Sequence, residues 1–121
     1  MTQPFYYRCQ LVKVIDGDTI RADIDLGFKV ILSSQTIRMY NIDTPESRTR
    51  NKEEKVLGLA AKDRLIELVG DEFEMQSHGK GKYGRILGTP YTPNGKNICD
   101  ILVEEGHAVV YKGGKKTKVW A

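Results

Sequence analysis

The sequence has 121 residues, of which 40% are hydrophobic and 29% charged, with a formal net charge of +3. That length supports one core and is too short for two, so a single domain over 1–121 is expected. No apolar run approaches the roughly 18 residues of a membrane-crossing helix, and "MTQPFYYRCQ" lacks the basic start and apolar stretch of a secretory leader; the chain is either intracellular or already processed, and a cytoplasmic protein with no membrane partner is expected.

From Tyr6 to Ile42 the pattern predicts a three-stranded meander, with strands at Tyr6 to Ile15, Thr19 to Leu26 and Lys29 to Ile42 and bends at Gly17 and Gly27. Glu53 to Val69 carries Leu57, Ala61, Leu65 and Leu68 at helical spacing, and Gly70 is a natural stop. Alternation returns over Glu72 to Ser77, and Gly84 to Tyr91 is its expected partner across the Gly79-Lys80-Gly81 loop. After a Pro93-Asn94-Gly95 turn, Asn97 is placed to cap a short helix from Ile98 to Glu105, closed by Gly106. The residues beyond Tyr111 read as irregular. Five strands, a helix between the third and fourth and a closing helix match the layout of an OB barrel with appended helices.

Cys9 and Cys99 are far apart, with no CxxC spacing, and are expected to be buried free thiols. His78 is expected at a surface loop, and His107 as a packed residue or a partner of the helix dipole. Basic residues gather at Arg48–Lys55, Lys80–Arg85 and Lys112–Lys118. Each cluster alone is a solvated face; together they could form one surface for an anionic ligand.

Three short stretches carry chemistry. "IDGDT", Ile15 to Thr19, is by itself a hairpin turn, because glycine accepts the positive φ that such turns require. "IRMYNIDTPE", Ile37 to Glu46, ends a strand in Asp43, Thr44 and Glu46; alone it suits the cap of a helical turn with Pro45 at its first position. "KYGR", Lys82 to Arg85, is alone a basic hairpin tip.

In this order and at these separations, "VIDGDT", "RMYNIDTPE" and "KYGR" resemble the thermonuclease, or staphylococcal nuclease-like, family over Lys13 to Val110, with an echo at "TKVWA". The resemblance implies an α+β fold: a five-stranded OB-fold β-barrel with two appended helices, the third helix of the type member being missing from this short tail. It also implies a calcium-dependent (Ca2+) nuclease that hydrolyses phosphodiester bonds of DNA, with RNA left open, shows little sequence specificity and leaves 3′-phosphate ends.

Carried over residue by residue, the resemblance makes Asp18, Asp43 and the Thr44 carbonyl the metal ligands, a set suited to a hard cation that takes six to eight oxygens. Glu46 would orient or deprotonate the attacking water, and Arg38 and Arg85 would clamp the phosphate with planar forks of donors. Lys52, Lys82, Tyr83 and Tyr111 would bind substrate around the reacting phosphate. Asp18, Asp43 and Glu46 against Arg38 and Arg85 leave a net negative site, so a divalent cation is needed before a phosphodiester is attracted. Trp120 is expected as an apolar lid.

Two rivals remain open: a non-catalytic OB-fold nucleic-acid-binding module, and an OB module that binds protein. Members without chemistry tend to lack these acids and arginines, and here they are all present. Whether the chain is a monomer or a homodimer is left open.

Overall fold

The computed structural model describes residues 5–81 and 84–111. Strands β1 (Tyr6–Asp16), β2 (Thr19–Asp25), β3 (Ile31–Met39), β5 (Glu72–Lys80) and β6 (Ile86–Tyr91) close a barrel in the order β1-β2-β3-β6-β5. All neighbours are antiparallel except β3 and β6, which pair in parallel through Ile37, Arg38 and Met39. Among the described residues two helices are appended, α1 (Lys52–Val69) and α2 (Ile98–Glu104), so the α+β, OB-type reading holds.

Alternation builds the core. In β2 every second residue, Ile20, Ala22 and Ile24, is buried, as the period-2 pleat demands. They meet Ile37, Met39, Phe73, Met75 and Ile86 from the other strands, and Leu65, Val69, Ile98 and Leu102 from the helices. Each large side chain withdrawn fully from water there contributes about 1.5–3 kcal/mol. Cys9 and Cys99 are both buried, and burial pushes each thiol up to about 12.

Helix α1 starts where Asn51 accepts hydrogen bonds from the backbone N–H groups of Glu53 and Glu54, both at 3.1 Å. Those two acids also sit at the favourable end of the helix dipole. The helix ends as Gly70 turns to a φ of 61°. Asn97 caps α2 in the same way, accepting from Asp100 N–H at 3.1 Å.

The third strand differs from its expected bounds. It stops at Met39 because Asn41 takes a φ of 60°, a left-handed conformation that asparagine tolerates. The chain then re-enters as a two-residue strand β4 (Ile42–Asp43), paired with β7 (Val109–Val110). Strand β5 also runs on to Lys80, past a bulge between Ser77 and Lys80. His78 therefore lies in a strand and not in a surface loop. Half-buried, it stacks on Tyr40 at 3.8 Å with its Nε2 2.9 Å from Thr89 Oγ1, and loss of water lowers its pKa.

Candidate active site

The two-residue turn Gly17–Asp18 joins β1 to β2, since Asp16 pairs with Thr19. Gly17 is not at positive φ. Its glycine is required by space: a Cβ there would stand 2.7 Å from Ala61 Cβ of α1 and 3.1 Å from Thr44 Oγ1. The turn is thus wedged between the helix and the segment that follows β4, which is why Asp18 is only 8% exposed.

Each carboxylate oxygen of Asp18 has a partner. Oδ1 accepts from Thr19 Oγ1 at 3.0 Å, and Oδ2 from the Thr44 N–H at 3.1 Å. Arg38, near the end of β3, reaches Asp18 Oδ2 at 2.8 Å through one terminal nitrogen and Asp43 Oδ1 at 3.5 Å through the other. Its first terminal nitrogen is also 3.3 Å from the Asp18 carbonyl, which in turn accepts from Met39 N–H at 2.7 Å. Asp43 is buried because the β4–β7 ribbon carries it inward. One guanidinium therefore serves two buried carboxylates from different parts of the chain.

Asp18, Arg38, Asp43, Thr44, Glu46 and Arg85 all line one cavity of about 130 Å³, with Asp16, Thr19 and Pro45. Glu46 is exposed at this cavity, while Thr44 and Pro45 beside it are buried. A larger hollow of about 470 Å³, between Tyr6, Phe73 and Tyr91, holds none of the six. The six residues come from the β1–β2 turn, β3, β4, the segment after β4 and the residue preceding β6. Only closure of the barrel brings them together.

A family profile described as "Staphylococcal nuclease homologue" matches residues 36–119 of this chain. The chain belongs to the staphylococcal nuclease family. An uncharacterized endonuclease of Escherichia coli is 33% identical over 107 residues, which are 85% of this chain and 60% of that protein. Endonuclease YncB of Bacillus subtilis is 36% identical over 106 residues, 83% of this chain and 46% of its own. Endonuclease YhcR of the same species is 32% identical over 108 residues, 82% of this chain and 8% of its own. The chain thus spans at most 60% of the length of these curated relatives.

In this member of the nuclease family, Lys52 and Tyr111 stand apart from the cavity lining. Lys52 is exposed at the start of α1, and Tyr111 is half-buried, with its N–H donating to the Asn41 carbonyl at 2.8 Å. Lys82 and Tyr83 lie outside the described residues, as do Lys112–Lys118 and Trp120. Asp16 lines the cavity as well, although in the sequence it is marked only as half of an Asp-Gly turn. Thr44 Oγ1 is buried at the same place with no hydrogen-bond partner among the described residues.

The donor set around the cavity is all oxygen, which suits a hard cation and not zinc or copper. Among the described residues no three His, Cys, Asp or Glu side chains are grouped to hold a metal ion. Asp18 and Asp43, brought within reach of one guanidinium, and the Thr44 carbonyl beside them are the residues that would hold such a cation.

Proposed function

We propose that this chain is a calcium-dependent nuclease that hydrolyses phosphodiester bonds of DNA with little sequence specificity, leaving 3′-phosphate ends, with RNA an open second substrate. The observation that carries this reading is the convergence of two arginines and four acids, Asp16 included, on one cavity of about 130 Å³. A formal count of the four acids against Arg38 and Arg85 makes the cavity net negative. A phosphodiester enters such a site only after a cation has offset that charge.

Asp18, Asp43 and the Thr44 carbonyl are the residues assigned to hold calcium. A bound ion would supply electrostatic stabilisation of charge on the phosphate oxygens. Arg38 and Arg85 are assigned to the same oxygens, where their donors act as charge grows in the transition state. Glu46, exposed where water reaches the cavity, orients the attacking water and takes its proton. The basic residues Arg48, Arg50, Lys52 and Lys55, next in the chain after Glu46, hold neighbouring phosphates, contacts indifferent to base identity. The endonuclease names of the relatives support the same class of reaction.

Product analysis on end-labelled single-stranded DNA, duplex DNA and RNA, with calcium or with chelator, tests the proposal. Cleavage with calcium, none with chelator, and 3′-phosphate ends are expected. Binding of all three without cleavage under any divalent cation would instead establish the non-catalytic OB-fold module.

A further inference from the structure

Glu46 has an exposed side chain that makes no hydrogen bond among the described residues, yet the proposed reaction needs its carboxylate held in place. Its backbone, in contrast, is gripped from two sides. From the helix, Glu54 Oε2 accepts the Glu46 N–H at 3.0 Å. Gly58 of α1 lies so close that a Cβ there would be 2.3 Å from the Glu46 carbonyl oxygen and 2.7 Å from the Ser47 nitrogen. From the barrel, Asp16 Oδ1 accepts from both the Ser47 hydroxyl and, at 3.2 Å, the Ser47 N–H. Ser47 is 3% exposed, and its hydroxyl is also 3.4 Å from the Ile15 carbonyl.

We infer that Asp16 is a positioning residue for Glu46: through Ser47 it fastens the end of β1 to the segment that carries the catalytic carboxylate, while Glu54 and Gly58 fasten that segment to α1. This rests on the proposed nuclease reading, and it separates Asp16 from the acids assigned to the cation. A carboxylate is suited to the task because one oxygen accepts from two donors of the same residue, leaving Ser47 neither translation nor rotation. With its peptide fixed on both sides, Glu46 retains only side-chain torsions. Misplacement of a reacting group by about 1 Å costs on the order of 100-fold in rate, so the clamp acts on turnover and not on substrate affinity.

The test uses the 121-residue chain and its variants Asp16→Ala, Asp16→Asn and Ser47→Ala, with kinetics on labelled single-stranded DNA in calcium and amide hydrogen exchange at Glu46 and Ser47. Asp16→Ala and Ser47→Ala are expected to lower kcat about 10- to 100-fold with little change in KM. Asp16→Asn, which keeps an oxygen acceptor but not the charge, is expected to recover most of that loss. In a Glu46→Gln background Asp16→Ala costs nothing further, because both act through one group. Exchange at Ser47 quickens in Asp16→Ala and stays slow in Asp16→Asn.

An Asp16→Asn variant as poor as Asp16→Ala, with Ser47 exchange unchanged in both, would overturn the inference and make Asp16 a charge in the site. So would full additivity with Glu46→Gln. Absence of cleavage by the wild type would sink the nuclease reading instead, and the exchange data alone would then decide whether Asp16 holds Ser47. Should Asp16→Ala not fold, Ser47→Ala and Asp16→Asn carry the same comparison.

Discussion

Arg38 and Arg64 each contact two carboxylates, but in opposite surroundings. Arg64 on α1 forks onto a single carboxylate, Glu105 just past α2, at 2.6 and 2.8 Å, and touches Glu67 at 3.4 Å. About a third of the Arg64 side chain remains in solvent. Arg38 is spread over two carboxylates, Asp18 and Asp43, that are almost wholly withdrawn from water. The exposed bridge ties α1 to the residue just past α2, and its excess of acid, Glu67 included, is screened by water and salt. The buried cluster has more acid than base, and the cavity beside it adds Asp16 and Glu46. Similar groups thus act as a surface tie in one place and, in the other, leave an excess of acid shielded from water that a bound cation would offset.

The largest effects should come from breaking the buried side of that contrast. Asp43→Ala is expected to abolish calcium-dependent cleavage while leaving the barrel folded, checked by activity together with circular dichroism. Arg85→Lys should be nearly as damaging as Arg85→Ala, with turnover lower by about 10²–10³, because a lysine offers a point charge where a planar fork is needed. Full activity in the lysine variant would reduce Arg85 to part of a basic surface.

Arg38→Ala sharpens the comparison through stability. It removes the guanidinium shared by two buried carboxylates, a loss of about 3 kcal/mol by the usual cost of breaking a buried pair. Calcium should restore much of it, so the thermal midpoint of this variant should rise with calcium more steeply than that of the wild type. Equal calcium responses would mean that the acids do not take up the cation.

Lys52→Ser reaches beyond both clusters to the exposed start of α1. It should raise KM, leave kcat nearly unchanged and reduce the salt slope of single-strand binding by about 0.7. An unchanged slope would remove Lys52 from the substrate path.

Arg64→Ala should have the smallest effect, a slight drop in thermal midpoint that disappears in high salt, with activity intact. The hydrogen bond from Arg64 holds Glu105 below its ordinary value of 4.5. A depressed folded-state value means that the bridge contributes above pH 4.5 and is lost as pH falls through the lower folded value. Wild type and Arg64→Ala should therefore converge in acid, as denaturation curves across that range would reveal.

The same contrast separates what is legible in the sequence from what depends on the fold. Ile20, Ala22 and Ile24 alternate, and Ala61 and Leu65 repeat at helical spacing, so the strands and α1 are local patterns with local causes. The glycine of "IDGDT" was legible as a turn but not for its reason, since the neighbour that forbids a Cβ is Ala61, far along the chain. The β4–β7 ribbon was not legible: two residues are too few to show a period, yet its entry through Asn41 turns Asp43 inward. The six cavity residues could be named from ordered motifs, whereas the bridging of Asp18 and Asp43 by Arg38 depends on how β3 leaves the barrel. Asp16 was hidden because its partner, Ser47, carries no motif of its own.

Asp18 and Asp43, held together by Arg38, are the proposed cation site. Calcium titration by calorimetry, with and without a nucleotide bisphosphate, tests it most directly in the wild type, Asp43→Ala and Arg38→Ala. The wild type is expected to bind calcium, and to bind it more tightly with the nucleotide. Asp43→Ala should lose binding, and Arg38→Ala, freed of the competing guanidinium, should bind calcium alone more tightly than the wild type. Unchanged binding in Asp43→Ala would contradict this assignment.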